Sequence, residues 1–181
     1  MKFLVPFLFL PTHGPVHKTP SPADEVCLTV PTATSTLSRV GDWHADPKVL
    51  LCGHAPVTFA RAERAISYWK RLGYAFQTPR EAAQDSFACA TGKVPYNTIM
   101  IDIPSQSFKM GKHIGSTRTW RNEGTQIFKA KIEIIPAWGD SERILEHELG
   151  HALGWNDVTH TGHIMNGTWS LGGYNSIGLK K

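Results

Sequence analysis

His147, Glu148 and His151 form the pattern H-E-x-x-H, the densest concentration of potential chemistry in the chain. On a helix, residues four apart lie one above the other, so both imidazoles can reach a single metal ion. Glu148 would stand beside that ion with its carboxylate outside the ligand set, placed to take a proton from a water that the metal has made acidic. It is the candidate general base, and the two histidines are candidate ligands. A pentad can arise by chance, and two histidines on an exposed helix face can be simply solvated. The next residues add weight: Gly154, three beyond His151, suits a helix end at which the chain turns back toward the metal.

A catalytic zinc typically takes three protein ligands and keeps one position for water. Neither Glu nor Cys occurs after Glu148, so the third ligand must come from Asp157, His160 or His163, with Tyr174 a distant fourth.

Here the sequence resembles the metzincin superfamily of zinc metallopeptidases. The extended pattern H-E-x-x-H-x-x-G-x-x-H/D is met by His147, Glu148, His151, Gly154 and Asp157, and Met165 falls where matrixins carry the methionine of their Met-turn. Most metzincins have histidine at the position of Asp157; the snapalysin-like members have aspartate, as here. The resemblance implies Asp157 as the third ligand, with His160 as the alternative, and Met165 as an apolar base packed under the histidines. His160 and His163 then shape the loop beneath the metal or bond the Asp157 carboxylate. An anionic ligand would lower the metal's net positive charge and so its acidifying effect on water. Trp155, Trp169 and Tyr174 follow closely enough to border a substrate pocket, although aromatic residues near a site are more often plain packing. The implied fold is α+β, a small, twisted, mostly parallel sheet packed on two main helices, with the substrate extended along an edge strand drawn from 117–121 or 126–135.

The elements that must position these groups are legible from pattern. Val49 to Cys52 is a short apolar run suited to a strand. Pro56 introduces a helical stretch from about Val57 to Leu72, with Ala62, Ala65, Ile66, Trp69 and Leu72 as its core-facing stripe. Thr98 to Ile103, closed by Pro104, and Gln126 to Ile135, with Ile132 and Ile134 on one face, read as two strands of one sheet, and a weaker strand signal covers Thr117 to Arg121. Gly139-Asp140-Ser141 offers a helix start, Glu142 suits the first turn, and the helix is expected to reach Leu153. Residues 11 to 47 are rich in Pro, Thr and Ser, so 1–47 reads as a leader or pro-segment and 48–181 as the catalytic domain.

A length of 181 residues suits one catalytic domain with a modest extension, and 41% hydrophobic with 19% charged residues fits a folded chain. The net charge of +4 is scattered. Its nearest approach to a patch, from Lys109 and Lys112 through Arg118, Trp120 and Arg121 to Lys129 and Lys131, reads as a solvated sheet face, so no nucleic-acid partner is expected. Met1-Lys2 and the apolar run Phe3 to Leu10 resemble a short export signal broken by Pro6 and lacking a clean cleavage site; no stretch approaches the ~20 apolar residues of a spanning helix. Of the three cysteines, export would permit a Cys52–Cys89 bridge, with Cys27 left over as a thiol or as a zinc ligand in a latent form. No calcium-loop motif is evident.

Together these features lead to the expectation of an exported, zinc-dependent endopeptidase acting on protein or peptide substrates, with a metal-activated water and Glu148 as general base. Two rivals remain: a non-catalytic zinc module closed by His147, His151, Asp157 and His160 together, and an amidase acting on cell-wall peptide.

Overall fold

In the computed structural model, residues 36–105 and 113–181 are described, and they belong to one compact unit. The expected export signal, Cys27, Lys109 and Lys112 lie outside the described residues. The elements run β1 (Asp42–Trp43), β2 (Lys48–Cys52), α1 (Phe59–Lys70), β3 (Arg80–Ala82), α2 (Phe87–Thr91), β4 (Thr98–Asp102), β5 (Gly115–Arg121), β6 (Gln126–Ile134) and α3 (Ile144–Ala152), with single 3-10 turns at Pro136–Trp138 and Trp169–Leu171. The class is α+β with a mostly parallel sheet. Helix α1 starts where Thr58, in extended conformation, accepts a hydrogen bond from the Arg61 amide, which satisfies one of the four free N–H groups of the first turn.

The sheet order is β1-β6-β4-β2-β3, all parallel, and β5 joins β6 antiparallel. Register explains the core. Val49 lies opposite Ile99 and Ile99 opposite Ala130, while Leu51, Ile101 and Ile132 form the next row. Alternation turns these residues to one face, where they meet Ala62, Ala65, Ile66 and Trp69 of α1 and Leu145, Leu149 and Ala152 of α3. Trp69 is fully buried, and its indole N–H donates to the Glu146 carbonyl at 2.8 Å, which ties the two helices together.

The opposite face carries a smaller cluster of Cys52, Cys89, Val94 and Met100, with a Cys52–Cys89 disulfide joining β2 to α2. Beside it His54 pairs with Asp102 at 2.6 Å, and Lys131 reaches Asp102 at 3.1 Å and Glu133 at 2.9 Å. Burial opposes the charge on Lys131, but the bonds to Glu133 and Asp102 outweigh it and raise its pKa. Lys129 sits 4.9 Å over the Trp120 ring. Among the described residues no helix is long and apolar enough to cross a membrane.

Two expectations about boundaries need correction. The helix expected from Ser141 begins at Ile144, because Arg143 adopts a left-handed conformation (φ 69°) and is drawn outward, its guanidinium 4.4 Å over the Trp169 ring and donating to the Trp169 carbonyl. Glu142 therefore precedes the first turn. The domain also begins upstream of Lys48. Strand β1 pairs with β6, the Val40 amide donates to the Gly154 carbonyl at 2.7 Å, Arg39 to the Leu153 carbonyl at 2.9 Å, and the Trp43 indole to the Ala152 carbonyl at 2.8 Å. These donors satisfy carbonyls at the last residue of α3, at its C-cap and at the glycine beyond, none of which has a helical partner. A Pro/Thr/Ser-rich composition does not reveal such backbone docking.

Trp43→Phe removes one of these donors while keeping an aromatic ring, and is expected to cost about 1–2 kcal/mol by leaving the Ala152 carbonyl unpaired. Urea unfolding followed by circular dichroism measures it.

Candidate metal centre and catalytic cleft

Helix α3 presents His147 and His151 on one side, and the chain after it is bent back by Gly154. At φ +100°, with space for a Cβ closed off by the Gly41 carbonyl at 2.2 Å, Gly154 tolerates no side chain. The Trp155 amide donates to the Gly150 carbonyl at 3.0 Å and closes the turn, and the Trp155 carbonyl in turn accepts from His151 Nδ1 at 2.7 Å. His147 is fixed in the same manner, its Nδ1 lying 2.8 Å from the Ile164 carbonyl. A carbonyl can only accept, so each Nδ1 carries the proton and each neutral ring turns an unprotonated Nε2 inward.

The consequence is electrostatic. The two Nε2 atoms are 3.0 Å apart, and Asp157 Oδ1 lies 3.4 Å from that of His147 and 3.3 Å from that of His151. Three acceptors facing one another repel unless a positive charge sits among them. One proton cannot bridge all three at these separations, whereas a metal ion can. The point equidistant from the three atoms is about 1.9 Å from each, the circumradius of a triangle with those sides, close to the ~2.0–2.2 Å at which imidazole and carboxylate ligate zinc. Among the described residues this is the group whose geometry could hold a metal ion, and His160 does not join it.

Without a metal the three groups compete for a proton. Burial, then the neighbouring His151, holds the His147 pKa below its usual value. Burial acts in the same direction on His151, but the hydrogen bond and charge of Asp157 outweigh it and raise His151. Asp157 is pulled down by His151 against the opposing effect of its own partial burial. Metal binding must displace that proton, so affinity falls as pH falls.

Met165 is fully buried directly under α3. A Cβ at Gly150 would stand 2.2 Å from its sulfur and 2.8 Å from the Trp69 ring, so the glycine is what lets helix, methionine and tryptophan approach. The Met165 carbonyl accepts from the Val158 amide at 2.8 Å, pinning the segment that carries Asp157. His163 is buried and structural: its Nδ1 accepts from the Met165 amide at 3.1 Å and its Nε2 faces the Ile177 carbonyl at 3.2 Å. The His160 carbonyl accepts from the Asn166 side chain at 2.8 Å.

A cleft of about 480 Å³ opens over the three groups, lined among others by Glu148, Thr117, Ile114, Ile144 and Trp169. Glu148 is 5% exposed, with Oε2 accepting from the Thr117 hydroxyl at 2.6 Å. Of the aromatic residues singled out from sequence, Trp169 lines the cleft; Trp155 is buried, donating to the Tyr74 hydroxyl at 2.8 Å, and Tyr174 lies against Tyr68, away from the cleft. Sequence reasoning did not find Gly115, His113, Asn166 or Gly167 in the lining, nor the buried pair in which Arg61 of α1 grips Glu146 with both guanidinium nitrogens. Glu146 is next to His147 in sequence, but nothing in the sequence announces a partner 85 positions away.

No protein-family model and no curated protein matches the chain.

If the three groups hold a metal, Asp157→Ala is expected to weaken Zn²⁺ binding by about 100-fold, whereas His160→Ala leaves it unchanged, as measured by calorimetric titration of chelator-stripped protein. Gly150→Ala, which drives a methyl into Met165, is expected to cost about 1–3 kcal/mol in urea unfolding and to weaken Zn²⁺ binding as well.

Proposed function

We propose that this protein is a zinc-dependent endopeptidase with a metzincin-type fold, in which His147, His151 and Asp157 hold the metal and Glu148 is the general base. The observation that carries the reading is the convergence of three acceptors on one point beneath an open cleft, with a buried carboxylate on the same cleft wall. Nitrogen and oxygen ligands in a three-protein-ligand set are those of hydrolytic zinc sites, and a site closed for structure alone would use four. Zinc bound there would polarise a carbonyl and lower the pKa of water.

The chain's own residues supply the rest. Glu148 takes the proton of the attacking water and returns it to the departing amine, which requires a carboxylate held still and close to the cleft. Strand β5, paired among the described residues only with β6, lies beside α3, where an extended peptide could run along it as a further strand. This favours 117–121 over 126–135, since β6 has neighbours on both sides. Ile114, Ile144 and Trp169 give part of the cleft an apolar wall suited to an apolar side chain near the scissile bond. Export is supported by the Cys52–Cys89 bridge, a bond that persists in oxidising surroundings.

Glu148→Gln is expected to keep one zinc per chain and to lose about 10²–10⁴-fold in kcat/KM on casein or a fluorogenic peptide. A zinc-loaded wild type inert on every peptide offered would instead point to a structural zinc module.

A further inference from the structure

The two faces of β5 are unequal. Gly115 pairs with Ile134 and Thr117 with Ile132, so alternation turns both toward the helix side of the sheet, where α3 carries Glu148. The Thr117 hydroxyl reaches Glu148 Oε2 at 2.6 Å and the Glu148 main-chain carbonyl at 3.0 Å. A hydroxyl has one proton to give, and the shorter, charge-assisted bond to the carboxylate takes it. Two residues earlier, a Cβ on Gly115 would lie 2.7 Å from Glu148 Oε1 and 3.0 Å from its Cγ and Cδ, so the missing side chain is what makes room for the other oxygen.

Resting on the peptidase reading above, we propose that Thr117 is the positioning residue of the general base. Its hydroxyl occupies Oε2 and fixes the carboxylate plane, Gly115 admits Oε1, and Oε1 is the atom that receives the proton. The strand along which a peptide would lie thus also aims the base, so the peptide's register on β5 and the direction of proton transfer are set by one element. A side chain in this position that lacked a donor would leave a buried carboxylate oxygen unpaired and the carboxylate free to rotate away.

The test compares zinc-loaded wild type, Thr117→Val and Thr117→Ser. Valine keeps the branched shape and loses the donor; serine keeps the donor. Thr117→Val is expected to lower kcat by about 10- to 100-fold with KM within about twofold and zinc content unchanged, while Thr117→Ser recovers most of the loss. Wild-type kcat in the valine variant, equal losses in both variants, or a change confined to KM would each overturn the proposal. The second readout needs no turnover: the carboxyl ¹³C resonance of Glu148 at fixed pH is expected to move in Thr117→Val and stay in place in Thr117→Ser. Should the wild type cleave nothing, the peptidase reading fails on its own, and this resonance still decides whether Thr117 holds the carboxylate; an unmoved signal in the valine variant sinks it.

Discussion

Everything around the cleft is arranged to hold together three groups that would repel one another with no proton or cation among them. Two imidazole nitrogens and a carboxylate oxygen within 3.4 Å, each presenting lone pairs, form an arrangement that no chain would adopt without reinforcement. The reinforcement is backbone. The Trp155 and Ile164 carbonyls fix the two rings, the Val158–Met165 bond holds the segment bearing Asp157, and Gly154 gives the chain the reversal that brings that segment back. Mobile side chains would separate; groups tied to main-chain carbonyls cannot.

That arrangement depends in turn on how α3 is seated. Its underside meets Met165 and Trp69 at Gly150, its flank is gripped by the Arg61–Glu146 pair, and its last carbonyls are met by Arg39, Val40 and Trp43. A buried ion pair contributes little net stability over an apolar pair of the same size, but losing one partner is costly, and this gives the contact its directional character. Helix α3 is only nine residues long, too short to be stable alone, and its position is set by these tertiary contacts.

The sequence made much of this legible because periodicity and local chemistry are written in neighbouring residues. The strands at 48–52, 98–102 and 126–134, helix α1, and the grouping of His147 with His151 follow from patterns within a dozen positions. The start of α3 is not legible, because the capping signals at Asp140 and Ser141 give way to the long-range stacking of Arg143 on Trp169. Residues 38–43, within the stretch 1–47 that composition marks as a leader, contribute hydrogen bonds to main-chain carbonyls and strand pairing, to which composition is blind. The contact of Thr117 and Gly115 with Glu148 is illegible for a related reason: a threonine and a glycine in a weak strand carry no such signal until register sets them against Glu148, 31 residues away from Thr117.

The three converging groups are also unequally covered. The side chains of His147 and His151 are 16% and 23% exposed, that of Asp157 57%. An ion held here would meet solvent on the aspartate side, the imidazoles being the more covered of the three groups. Gly167, whose Cβ would lie 3.0 Å from that carboxylate, lets the following loop pack close against the one exposed group of the three.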